Sequence, residues 1–415
     1  MPQSTQNVSK DTAVVTKPPL GLFEFVALMA TMTSLVALSI DAMLPALIQI
    51  GDALNVANPS ETHLIVTVFF VGMAFGQMFF GPFSDSRGRR LTILVGLCIY
   101  ALGTFVCMMA TNLEVMLLGR IIQAFGVSGP RIASMAIIRD LYVGDAMARV
   151  MSFIMMVFIL VPMLAPIIGQ TVMDWFSWFH IFTLFLAVAT MSGLWFFSRQ
   201  GETLPRAKRK AFSWEAFFAS SKFILTHPAV MGYTFAMGCI FGAFLAYLSA
   251  SQTIFTVYYD MGEWFPYIFA ILAFSIGLAS YFNGRMVMRF GMRKLCRFAL
   301  KGVNMFALVY VGLLYAYNGL PPIVLTVSVM FIGFFFVGIL FGNLNAMAMQ
   351  PLGEMAGLGA AIIGSFSSLF SVPIALFVDS FLSGTLMPIG LGFLVFFGLA
   401  YASVRFAEKV REIAE

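Results

Sequence analysis

Residues 112–142 read NLEVMLLGRIIQAFGVSGPRIASMAIIRDLY, a run apolar enough to cross a lipid bilayer that nevertheless carries Arg120 and Arg131 inside it. A helix rises about 1.5 Å per residue, so about 20 apolar residues span the hydrocarbon core. An arginine held there costs at least ~2.5–3.5 kcal/mol on insertion scales and requires a partner, a wet cavity or both. The stretch sets two questions: what chain surrounds it, and what the two guanidiniums meet.

The surroundings are more apolar than any soluble domain. Of 415 residues, 60% are hydrophobic and 10% charged, where soluble domains carry about 25% charge. The pI is about 9.0, but the basic residues stand in short runs between apolar spans. That pattern orients membrane helices and gives no reason to expect nucleic acid. Cys98, Cys107, Cys239 and Cys296 have no CxxC spacing and read as packed thiols. His63, His180 and His227 fall at span ends, so no histidine is expected deep in the membrane.

The 20-residue rule gives twelve spans, near 22–49, 62–83, 91–110, 113–142, 147–173, 177–197, 229–257, 264–287, 296–317, 322–348, 356–382 and 385–405. All Lys and Arg except Arg120 and Arg131 lie in the tails or at and beside the connections after even-numbered spans. Asp52, Glu61, Glu114, Asp174, Asp260 and Glu263 lie at or beside the odd-numbered connections. This places both termini in the cytoplasm. The expected organisation is a tail (1–20), a six-helix bundle (21–198), a cytoplasmic connection (199–227), a second six-helix bundle (228–406) and a tail (407–415). The connection carries Phe212, Trp214, Phe217, Phe218 and Phe223 for an interfacial face, although a plain tether explains it as well.

The halves look related. Gly81 and Gly88 after span 2 are matched by Gly284 and Gly291 after span 8, with the same spacing of seven. Two parallel six-helix repeats about a central cavity are the expected product: an all-α polytopic membrane protein with twelve transmembrane helices.

After span 2 the chain reads GPFSDSRGRR, 81–90. Together with the 6+6 layout, the central connection and the degenerate second copy, this resembles the cytoplasmic signature of the major facilitator superfamily across the whole chain. The resemblance implies a cytoplasmic gate of Gly81, Asp85, Gly88, Arg89 and Arg90, with Asp140 closing span 4. Met288 takes the place of Asp85 in the second copy, so the implied lock is asymmetric.

Three further motifs are LSIDAMLPAL around Asp41, RIIQAFG from Arg120 through Gln123 to Gly126, and PMLAPIIGQ with Pro162, Pro166 and Gly169. They resemble the helix 1, helix 4 and helix 5 motifs of the drug:proton antiporter branch. With Arg139-Asp140, they resemble its Bcr/CflA subfamily. Ala124, Ala165 and Gln170 depart from the glycines usual in those motifs.

By span arithmetic, Asp41 and Arg120 lie roughly 11–14 Å from the same surface at about 1.5 Å per residue, which allows them to pair. Asp41 is the one acid clearly within a span. It reads either as a proton-exchanging group modulated by Arg120 or as half of a static ion pair. Arg131, beyond Gly129-Pro130, reads either as a cavity residue for an anionic group or as a snorkelling residue near the inner mouth. Gln123, Tyr233, Tyr247, Asn343 and Asn345 are cavity candidates, or else interhelical hydrogen-bonding groups.

No phosphate-cradling loop, metal constellation or nucleophile motif is present, so neither enzymatic chemistry nor a cofactor is expected. The implied function is monomeric, proton-coupled export of small, largely apolar compounds across a bacterial inner membrane. The alternatives are an exporter of a specific metabolite or siderophore, and a proton-coupled importer.

Overall fold

The computed structural model describes residues 20–142, 144–209 and 214–414. Among them, eleven helices are long and apolar enough to cross a membrane. A further helix, Gly144–Trp175, is 32 residues long and lies where span 5 is expected.

The helices are α1 Leu22–Ala53, α2 Leu64–Arg87, α3 Arg89–Met108, α4 Leu113–Leu141, α5 Gly144–Trp175 and α6 Trp178–Arg199. After a short connecting helix, Trp214–Thr226, come α7 Pro228–Gln252, α8 Phe265–Phe290, α9 Met292–Ala316, α10 Ile323–Met349, α11 Ala356–Asp379 and α12 Met387–Ala414. The face where α1 begins and α12 ends is termed the near face, and the other the far face.

Packing follows a two-fold relation that maps each helix of the first half onto the one six further on. α3 packs on α4 as α9 does on α10. α2 packs on α4 as α8 does on α10, and α1 on α5 as α7 does on α11. The halves meet along two seams, α2 on α11 and α5 on α8, and the same relation exchanges them. The repeat inferred from two glycine pairs is also visible in the backbone. Gly88 (φ 101°) and Gly291 (φ 79°) both turn the chain between helices in a conformation that side chains rarely adopt.

Burial sorts the helices. α7 and α1 bury 78% and 72% of their apolar windows, while α6, α9 and α12 bury 39%. Leu102, Met191, Leu194 and Met305 on the outer helices are exposed and suit lipid contact.

Three details differ from expectation or extend it. α12 runs as helix to Ala414, so the expected tail from 407 is, as far as described, a continuation of α12 anchored by Arg297 to Glu408 at 3.0 Å. α1 is broken by a 3₁₀ turn, Leu44–Ala46, around Pro45, just after Asp41. α7 ends in a π-helical turn, Thr253–Tyr258. Residues 1–19 and Phe212 lie outside the described residues, as do the side chains of Trp214, Phe217 and Phe218. Phe223 is exposed.

Candidate functional site

Close backbone contact builds the interior of the first half. A Cβ on Gly103 would stand 2.2 Å from the Gln123 nitrogen, and one on Gly126 would stand 2.2 Å from the Tyr100 nitrogen. With no side chain at either position, α3 and α4 touch main chain to main chain. This brings Gln123 to Thr104, to whose hydroxyl its amide donates at 2.8 Å.

Arg120 is fully buried one turn away. Its Nη1 donates to Gln123 Oε1 (2.5 Å) and to the Ser39 carbonyl on α1 (3.1 Å). Its Nε donates to the Ile65 carbonyl on α2 (3.1 Å), and the guanidinium sits 4.3 Å from the Phe69 ring centre. One side chain thus ties three helices together. Nη2 has no hydrogen-bond partner among the described residues.

The Asp41–Arg120 contact allowed by the span arithmetic is not formed. Neither a charge nor a hydrogen bond from a described residue reaches the buried Asp41 carboxyl. The depth was right, because Arg120 reaches Ser39, two residues before Asp41. The facing was not. Residues two apart lie about 200° apart around a helix, and the Ser39 side binds α3 through its hydroxyl and Tyr100 Oη at 2.7 Å. Beyond Asp41 the α1 break lies against α5, where a Cβ on Gly169 would fall 1.9 Å from the Ala42 carbonyl oxygen. Of the helix 5 motif, Gly169 and Pro166 are buried and Pro162 is half-buried. Gln170 donates to Asp174 on the far face at 2.7 Å.

Arg131 is half-buried with Nη1 3.2 Å from Met73 Sδ, and no carboxylate of the described residues lies within ion-pair distance. The other candidates divide. Asn343 donates to Asn283 on α8 (2.7 Å) and to the Ile339 carbonyl (2.9 Å), so it joins helices. Asn345 is exposed, and Tyr233 is buried in α7. Tyr247 is buried against Phe334 (ring centres 4.8 Å), and its hydroxyl has no hydrogen-bond partner among the described residues. It belongs to an aromatic band, Phe70–Phe241–Phe341–Phe244–Phe334, which runs from α2 through α7 to α10.

At the near face the signature residues converge on Arg89. Arg89 donates through Nε to Asp140 (3.0 Å) and through Nη1 to Asp85 (2.6 Å) and Ser84 (2.9 Å). Arg90 donates to the Phe197 carbonyl (3.1 Å) on α6. Gly81 comes near Ala361 of α11.

Sequence reading missed the contribution of the connection. Glu202 accepts from the Arg89 and Arg90 backbone amides (3.0 and 3.2 Å), placing a carboxylate on the N-terminus of α3, where the helix dipole favours it. Thr203 donates to Asp140 at 2.9 Å. A side chain at Gly88 would collide with Glu202 Oε2, at 2.6 Å, so this glycine serves both turn and docking. Glu24, near the start of α1, pairs with Arg199 of α6 at 2.6 Å.

Two six-helix halves related by a two-fold packing pattern, with buried ionisable residues inside the first, define a polytopic all-helical membrane protein. The sequence pattern of the Major Facilitator Superfamily matches residues 29–375, and the chain belongs to that family. It is 30% identical over 349 residues to a bicyclomycin resistance protein homolog of Haemophilus influenzae, covering 83% of this chain and 85% of that one. A multidrug resistance protein MdtL of Vibrio parahaemolyticus is 33% identical over 192 residues, covering 44% of this chain and 48% of that one. Among solved structures, a peptide transporter POT superposes with TM-score 0.73 at 12% identity, over 96% of each chain. The human organic anion transporter MFSD10 superposes with TM-score 0.67 at 17% identity, over 94% of this chain and all of that one. These two likenesses concern the fold.

Proposed function

We propose that the protein exports small, largely apolar compounds from the bacterial cytoplasm in exchange for protons by alternating access, with the near face cytoplasmic. The carrying observation is the Asp41 carboxyl, buried beside the α1 break with no cation or hydrogen-bond donor among the described residues. A buried carboxylate without compensation is costly, and binding a proton removes that cost. Such a group can exchange a proton as the break flexes and substrate comes and goes.

Arg120, across on α4, is a fixed positive charge locked to the Ser39 and Ile65 carbonyls rather than to Asp41. The aromatic band and Met73 beside Arg131 would supply an adaptable apolar lining, with Tyr247 offering a hydroxyl that has no hydrogen-bond partner among the described residues. One proton moving down about 100 mV supplies about 2.3 kcal/mol, enough to sustain an outward gradient of a neutral compound. The drug-resistance names of the two relatives above support this reading, as does the clustering of Lys and Arg at the near face.

The test is resistance profiling in a host lacking its own efflux pumps, comparing the parent with Asp41→Asn, alongside uptake into proteoliposomes with an imposed pH gradient. Antiport predicts that an acidic lumen drives substrate in, and that Asp41→Asn abolishes this while the protein stays folded in the membrane. Substrate uptake opposed by an acidic lumen would instead identify symport. Proton-driven flux unchanged in Asp41→Asn would remove Asp41 from the coupling step.

A further inference from the structure

The second pair of buried ionisable side chains lies at the far end of the α2–α11 seam, away from Asp41 and Arg120. His63, one of the histidines at a span end, stands at the start of α2 and is 2% exposed. Its Nδ1 is 3.8 Å from Asp379 Oδ2 on α11, and its Nε2 is 3.0 Å from Thr253 Oγ1 on the π-helical turn of α7. Asp379 is also buried, and Oδ2 accepts from Ser249 at 2.9 Å. Two polar atoms, His63 Nδ1 and Asp379 Oδ1, have no hydrogen-bond partner among the described residues.

Around the pair the halves are joined directly. Gln252 of α7 accepts from the Ile48 amide at 3.2 Å and donates to the Pro45 carbonyl, both in the broken end of α1. The charged residues on the packed elements at this face include Asp52, Glu61, Asp260 and Glu263. All four are exposed, and none forms an ion pair with His63 or Asp379 among the described residues.

We propose that His63 and Asp379 form a proton-binding site that ties protonation to closure of the far face. The argument is one of proton count. Closed without a proton, the pair buries a carboxylate with Ser249 as its described donor, which is costly in a site shut off from water. With one proton the pair is neutral overall, whether as imidazolium and carboxylate or as imidazole and carboxylic acid. When the seam parts, both groups enter water, where a histidine releases its proton near pH 6.5 and an aspartic acid near 3.9.

Above about pH 6.5, closing the far face therefore takes up one proton, and opening it releases one. Linkage then requires the closed-to-open ratio to fall about tenfold per pH unit in that range. An exporter that has released its cargo outward needs a signal to close behind it, and a proton captured from the acidic outer side supplies one. This rests on the alternating-access reading above, but not on proton exchange at Asp41.

The test uses the full-length protein with its four cysteines replaced and spin labels at Ala53→Cys and Ser383→Cys, exposed positions on the far ends of the two halves. Electron–electron resonance distances are recorded from pH 5.5 to 8.5. The parent should lose its short-distance population above about pH 6.5, with the ratio falling about tenfold per unit. Asp379→Asn and His63→Gln should each flatten that response, and the exchanged pair, His63→Asp with Asp379→His, should restore it. Ser249→Ala leaves both ionisable groups in place and should extend the fall to higher pH, which a purely structural contact would not do. Two populations that do not respond to pH, or a response unaltered in both single variants, would overturn the site. A single population at every pH would instead overturn the alternating access on which it rests.

Discussion

Arg120→Lys separates charge from shape at the centre of the first half. The lysine keeps the positive charge but replaces a fork that reaches Ser39 on α1, Ile65 on α2 and Gln123 on α4 by a single nitrogen. From α4 one ammonium can hold one of these three oxygens in good geometry, so two charge-assisted hydrogen bonds are lost. Both carbonyls belong to helices and keep some backbone bonding, so the lower end of the range for charged donors, about 1.5 kcal/mol each, is appropriate. The expected loss is about 3 kcal/mol, or roughly 150-fold in the unfolding equilibrium.

The protein supplies its own reporter for this measurement. Cys107, Cys239 and Cys296 are buried while Cys98 is exposed. In a Cys98→Ser background, reaction with a thiol-activated fluorophore on heating or detergent titration follows unfolding from the inside. Arg120→Lys should unfold well before the parent, and a Gln123→Glu partner should not rescue it, because the missing contacts are to α1 and α2. A variant within about 1 kcal/mol of the parent would refute the idea that Arg120 acts as a three-helix tie.

The same thiol assay tests the α3–α4 contact. Gly126→Ala places a methyl 2.2 Å from the Tyr100 nitrogen, and backbone must move, so a cost of about 1–3 kcal/mol or more is expected, whereas Gly284→Ala, with open space around it, should be close to neutral. At the near face, Asp140→Asn removes the charge from the Arg89 contact and should cost about 1.5–3 kcal/mol in the same measurement. Glu202→Gln should cost less, about 0.3–1 kcal/mol, since it weakens a carboxylate's interaction with the start of α3, and hydrogen exchange at the Arg89 and Arg90 amides should rise.

The twelve-helix layout was legible because a bilayer demands apolar length, and length is a property of sequence alone. The near-face cluster was legible for a related reason. Asp85 and Arg89 are one helical turn apart, so local spacing brings them together, and the resemblance supplied Asp140. What could not be read was facing and long-range docking. Asp41 and Arg120 share a depth, but depth says nothing about azimuth, and two residues along α1 made the difference between a carbonyl contact and an ion pair. Glu202 looked like one polar residue in a linker. Its seat on α3 depends on a left-handed turn at Gly88 that leaves room for it, and that is a tertiary fact.

His63 shows the same limit from the other direction. A histidine at the end of an apolar span reads as interfacial, and it would be if α2 stood alone. It is buried because α7 leaves regular helix at Thr253 and because α11 brings Asp379 across from the other half. A π-helical turn inserts a residue and commonly marks a functional position, but neither Thr253 nor its neighbours advertise one. The broken end of α1 sits against this same turn through Gln252, so the disruption after Asp41 and the far-face pair share one junction. Movement of α7 against α1 would change the surroundings of both carboxyls together.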